Sequence, residues 1–218
     1  GASQLGIYDY LNSIITLVAT VCLLGIGHYG SREVAYVRDD TLLLSRTFWN
    51  ILLTQLFLGV ICIIFVMTLT NFTEYKVYTF SFLFWIIGYI VDCTWLYIGL
   101  EDMEHAVVKN IFAKLFFIAG TFLFVKTEYD LILYIVFNGV AVLLANILAY
   151  SKLNKYVLKP KFDFSTIGKH IVGSLNLFLP LFATQLTLSL NKIILGSLVT
   201  DIAAVAYYSN AEKIVQIP

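Results

Sequence analysis

The sequence predicts an all-α, polytopic transmembrane helix bundle of about six spans plus the start of a seventh. Three observations predict it. Apolar residues fill 60% of the 218 positions and charged residues only 13%, against roughly a quarter charged in a soluble domain. The apolar residues fall in successive runs near the roughly 20 residues that a helix needs to cross a bilayer. Within the runs polar and apolar positions do not alternate, as they would in the roughly ten-residue strands of a barrel.

In order, the runs extend from about Tyr8 to Gly27, Phe48 to Leu69, Val77 to Leu100, Ala106 to Val125, Leu131 to Tyr150 and Ile171 to Leu190, with a seventh pattern opening near Ala203. Helices are the expected form because hydrocarbon offers backbone groups no water to bond. The connections differ in charge. Arg32, Arg38 and Arg46 follow the first run; Lys109 lies at the edge of the third connection; Lys152, Lys155, Lys159, Lys161 and Lys169 follow the fifth run. Lys76 and Lys126 stand alone in the other two. By the positive-inside rule, segments 28–47, 101–109 and 151–170 are expected to be cytoplasmic and Gly1 to be external. The expected location is a cell (plasma or inner) membrane.

Residues 151–170 form the longest polar stretch, and Pro160 interrupts any continuous helix through it. They read as a basic linker lying among membrane lipids. Residues 1–150 and 171–218 flank it. The chain lacks a starting methionine, shows no basic segment before the first run and ends at Ile217-Pro218, so it reads as an internal piece of a longer protein with a span missing upstream.

Several function classes find no support. Net charge is zero, which gives no field for nucleic acid. Cys22, Cys62 and Cys93 lie singly inside apolar runs, as buried thiols do, without metal spacing. No catalytic motif occurs, and the short connections leave no room for a catalytic domain, so neither an enzyme nor a cofactor is expected.

Polar residues inside hydrocarbon are costly, so their positions carry information. Asn12, Thr16 and Thr20 share a helical face at i, i+4, i+8. Asn50 and Thr54 repeat the spacing, Asn110, Lys114 and Thr121 share another face, Asn138 and Asn146 mark the fifth run, and Thr184, Gln185, Thr187, Asn191 and Lys192 mark the sixth. Single residues of this kind join helices; their recurrence on at least four helices predicts the wall of a polar cleft. Lys114 is expected either to snorkel or to face that cleft. Asp92 is expected to pair with a lysine such as Lys114, or to orient Trp95 and the turn beyond. Lys192 is expected at the outer end of the sixth span, as an interfacial anchor or a cation at a cleft mouth. Pro180 is expected to kink that span, and Arg32 with Glu33 to form an exposed pair at the end of the first.

Several runs of residues then resemble a known family. Leu5-Gly6-Ile7-Tyr8-Asp9-Tyr10 with Gly27-His28-Tyr29-Gly30-Ser31-Arg32-Glu33-Val34-Ala35 is similar to the second span and following loop of Wzx-type polysaccharide (O-antigen) flippases, the oligosaccharide flippase family within the multidrug/oligosaccharidyl-lipid/polysaccharide exporter superfamily. Asp92-Cys93-Thr94-Trp95-Leu96-Tyr97-Ile98-Gly99-Leu100-Glu101-Asp102 resembles its fourth-span motif, with Asn110 and Lys114 at the family's spacing. Asn191-Lys192-Ile193-Ile194-Leu195-Gly196 and Tyr207-Tyr208-Ser209-Asn210-Ala211-Glu212-Lys213-Ile214 resemble the opening of a second lobe. Where the family often has an acidic residue before the lysine, this chain has Asn191, which leaves an ion pair at that point open. The resemblance implies a two-lobed, inverted-V transporter, with most of the N-terminal lobe in 1–150 and the start of the second in 171–218. It implies a polyprenyl-pyrophosphate glycan as substrate and a polysaccharide polymerase as a partner. A drug exporter of the same superfamily and a membrane glycan polymerase are the alternatives.

Overall fold

The computed structural model describes residues 1–215; the last three positions of the expected 171–218 segment lie outside the described residues. The described chain is helical: α1 (Ala2–Leu23), α2 (Ile26–Val37), α3 (Thr41–Leu69), α4 (Lys76–Ser81), α5 (Leu83–Ile90), α6 (Thr94–Gly99), α7 (Met103–Phe124), α8 (Leu131–Ala149), α9 (Ile167–Leu198) and α10 (Ala203–Val215). Six helical stretches, one for each predicted run, are long and apolar enough to cross a membrane. Their outer faces carry large apolar side chains, such as Ile111, Leu115 and Phe122 on α7. Lipid tails are as apolar as these residues, so cohesion between the helices depends on close packing and hydrogen bonds.

Three elements depart from expectation. The first is segment 28–47, expected as a connection. It is helical through Val37, turns at residues 38–40 and continues as α3. Asp40 caps α3, its carboxylate accepting from the Leu42 and Leu43 N–H groups at 2.9 and 3.0 Å, which satisfies donors that a helix start leaves free. The interruption of the first span instead falls at Leu24 and Gly25, both left-handed, with φ of 49° and 66°.

Second, the third run is divided. Helix α5 stops at Ile90 and α6 begins at Thr94, with no proline between them. Third, α9 passes through Pro180 as one continuous helix of 32 residues, although a proline removes a backbone hydrogen bond.

A close helix crossing joins α2 to α6. A Cβ added to Gly99 would lie 2.6 Å from the Ser31 carbonyl oxygen, and one added to Gly30 would lie 2.7 Å from the Trp95 ring. Only glycine lets these backbones approach so closely. Beneath the crossing, Phe48, Trp95, Leu96 and Tyr97 form a core with Leu153 and Val157 of the linker.

The linker is therefore docked. The Leu158 N–H donates to Ser45 Oγ at 2.9 Å, Trp49 Nε1 donates to the Leu158 carbonyl at 2.9 Å, and the Asp163 N–H donates to Asn50 Oδ1 at 3.0 Å. Arg38 meets Glu101 at 2.7 Å and Arg46 meets Asp163 at 3.4 Å. Segments 28–47, 101–109 and 151–170 thus converge on one end of the bundle. At the other end Gly1 lies beside Glu128.

The Ser165 hydroxyl and amide, with a smaller contribution from Arg46, hold the Asp163 carboxyl below the usual carboxylate range. A value depressed by folding contributes stability above the unfolded value of about 4 and loses it as pH falls through the folded one. Acidification below about pH 4 should loosen the linker, read as faster protease cutting between residues 158 and 166 in membranes. Asp163→Asn should show the faster cutting already at neutral pH and little further change in acid.

Candidate functional site: a polar cavity between two helix breaks

Both interruptions open onto one cavity of about 650 Å³. Leu23, Gly25 and Ile26 bring the first break to its wall, and Asp92, Thr94 and Trp95 bring the second. Helices α7 and α8 add Lys109, Asn110 and Asn146, and α9 adds Thr184 and Gln185.

A broken helix frees carbonyls that hydrocarbon cannot solvate, at about 1–3 kcal/mol for each buried group left unpaired. Here side chains from other helices take them. Gln55 Nε2, from the middle of α3, donates to the carbonyls of Ile90 at 2.6 Å and Asp92 at 2.9 Å. Asn146 Nδ2 donates to the Gly88 carbonyl and the Tyr150 hydroxyl to that of Val91, both at 2.7 Å. Trp95 Nε1 donates to Gln55 Oε1 at 2.9 Å, which fixes the amide that fixes the break.

The charges follow the same logic. Lys109 Nζ lies 2.7 Å from Asp92 Oδ1 and also donates to Asn146 Oδ1, with its side chain 7% exposed. An unpaired ammonium at that depth would cost several kcal/mol. Thr94 gives its N–H to Asp92 Oδ1 at 3.0 Å and its hydroxyl to the same oxygen.

Of the residues singled out in the sequence, Asp92, Asn110, Gln185 and Trp95 line the cavity. Thr20 lines it too and donates to the Thr16 carbonyl at 2.9 Å. Thr16 and Asn12 continue its face of α1 beyond the cavity, half-buried. Lys192 pairs with Glu212 of α10 at 2.6 Å, and Asn191 donates to the Tyr208 hydroxyl at 2.9 Å. The ion pair left open at this point is therefore made with a residue of α10. Arg32 and Glu33 bond each other at 3.0 Å on the partly exposed side of α2. Glu101 ends α6 in a left-handed turn, with φ of 60°.

Of the two places expected for Lys114, the structure leaves the one away from the cleft. It is exposed on α7 and outside the cavity lining. The cation beside Asp92 is Lys109, which the sequence placed at the edge of a connection. The reason is helical phase: Lys109, Asn110 and Ala113 share the inward face, and five residues carry Lys114 about 140° round from Lys109. Gln55 was also missed in the sequence, although a glutamine amid an apolar run carries the signal that marked Asn50 and Thr54.

Comparison with known proteins adds an independent result. The model of a family described as "Polysaccharide biosynthesis protein" matches residues 1–218. A protein of Escherichia coli (strain K12) named "Putative O-antigen transporter" is 22% identical over 202 residues, covering 90% of this chain and 49% of that protein. A protein of the same name from Shigella dysenteriae is 26% identical over 211 residues, covering 94% of this chain and 52% of its own length. The chain thus spans about half the length of the curated relatives it matches. No solved structure matches it significantly.

Proposed function

Because the chain belongs to the polysaccharide biosynthesis protein family, we propose that it is part of a multi-pass membrane transporter that flips polyprenyl-pyrophosphate-linked oligosaccharide repeat units from the cytoplasmic to the outer leaflet. The observation that carries this reading is a cavity of about 650 Å³ in which Gln55, Asp92, Lys109, Asn110, Asn146 and Gln185 stand among apolar side chains, inside a bundle whose outer faces are apolar. Sugars can enter such a space while the lipid tail stays in the bilayer. The names of the two relatives agree with it. In this reading 1–150 is most of one lobe, 151–170 the cytoplasmic linker and 171–218 the opening of the second, in an inner membrane that also holds a polysaccharide polymerase. The rival reading as a cation-coupled drug exporter needs an unmatched intramembrane carboxylate, and the two that lie within the apolar runs, Asp92 and Asp9, face Lys109 at 2.7 Å and Lys213 at 3.7 Å.

Deleting the gene in its own host should abolish surface polysaccharide and accumulate lipid-linked repeat units on the inner leaflet. Unchanged surface polysaccharide would overturn the proposal. Complementation with Lys109→Gln should recover less than about a tenth of wild-type export, the effect of about 1.4 kcal/mol. Lys114→Gln, outside the cavity, should export within about twofold of wild type, since surface substitutions away from special features cost about 0.5 kcal/mol or less.

A further inference from the structure

We propose, on the premise of the transporter reading, that Asp92 reads uncharged sugar hydroxyls in the cavity and that the pyrophosphate is not held there. The Asp92 carboxylate is used asymmetrically. The Thr94 N–H, the Thr94 hydroxyl and the Lys109 ammonium all go to Oδ1. Among the described residues none donates to Oδ2, and the side chain is 29% exposed where it lines the cavity. One oxygen anchors the residue and the other remains able to accept.

The presentation is rigid. Asp92 sits in the break between α5 and α6, whose carbonyls are held by Gln55, Asn146 and Tyr150. Lys109 spends two of its three N–H groups on Asp92 and Asn146. A preformed acceptor costs a ligand little ordering. Asn110, Thr184 and Gln185 add neutral polar groups to the same wall.

Charge decides what such a wall prefers. Among the described residues of the lining, Asp92 and Lys109 are the only Asp, Glu, Lys or Arg, and they cancel. A phosphate brought against the free Asp92 oxygen meets a like charge, which Lys109, already engaged by Oδ1 and Asn146, offsets only in part. It must also displace that carboxylate from Lys109. A neutral hydroxyl donating to Oδ2 makes a charge-assisted hydrogen bond with no like charge to overcome. The ion pair therefore makes the cavity a site for hydroxyls, with Asp92 the acceptor and Lys109 its positioning residue.

The test uses the full-length purified protein in nanodiscs and two probes: undecaprenyl pyrophosphate without sugar, and the same lipid bearing a neutral N-acetylhexosamine disaccharide. Wild type should bind the glycosylated lipid about tenfold more tightly, the ratio for about 1.4 kcal/mol. Asp92→Asn should remove that preference. The double variant Asp92→Asn, Lys109→Gln leaves no unmatched buried charge and should lose the preference as well. If the double variant regains the preference, the role of Asp92 is structural and the proposal fails. If the double variant binds the sugar-free lipid more weakly than wild type does, Lys109 is a phosphate ligand in the native protein and the proposal also fails. Wild type that binds both lipids equally overturns the hydroxyl reading alone, whereas wild type that binds neither overturns the transporter reading beneath it.

Discussion

Replacing Lys109 with methionine is expected to destabilise the bundle by about 3 kcal/mol, the lower end for breaking a buried ion pair. The lower end applies because Asp92, the charge left behind, is 29% exposed and can recover some hydration through the cavity. Two further losses follow. Asn146 Oδ1 loses its donor, and the Asn146 amide is what holds the Gly88 carbonyl. Thermal unfolding of the purified full-length protein should show the loss directly. Adding Asp92→Asn to Lys109→Met should recover most of it, because replacing both members of a pair by neutral groups is often close to neutral in stability. A Lys109→Met protein that melts with wild type would mean that the ion pair does not hold the α5–α6 break.

Gly99→Leu should cost about 3 kcal/mol, the upper range for overpacking a close contact. The neighbour that a Cβ meets at 2.6 Å is the Ser31 backbone carbonyl, and Val34 Cβ lies at 2.7 Å. Backbone cannot rotate away as a side chain can, so α6 must shift from α2. Trp95 lies one turn earlier on α6 and would shift with it, which pulls its indole from Gln55 and uncaps the break. Gly27→Ala provides the control. A Cβ there meets Trp95 at 4.0 Å, an ordinary contact, so its melting temperature should stay near wild type. Equal stability of the Gly99→Leu and Gly27→Ala proteins would show that the crossing tolerates separation, and that close approach of α2 and α6 is not what places Trp95.

The two helix interruptions illustrate what periodicity cannot carry. Pro180, expected to kink its span, lies within one continuous helix, while the break at residues 91–93 has no proline. A helix in lipid opens where partners exist for its freed carbonyls. For residues 91–93 those partners are Gln55, Asn146 and Tyr150, at least 35 residues away along the chain for each bond that Gln55, Asn146 or Tyr150 makes to the break. The linker is a similar case. Its lysines placed it among membrane lipids, yet Leu153 and Val157 are buried in the bundle, and its backbone bonds Ser45, Trp49 and Asn50 on α3.

What the sequence determined by itself is what local chemistry enforces: helices of membrane-crossing length, their number, the grouping of basic connections, and a set of helices with polar faces. These follow from apolar content and from the cost of unpaired backbone in hydrocarbon, both readable in a window of about 20 residues. The tertiary structure alone decided which polar residues meet. Lys109 and Lys114 are equally basic and five positions apart; only the rotation of α7 against α5 and α8 puts the first on Asp92 and the second outside. That rotation is set by packing over the whole bundle, which no single helix records.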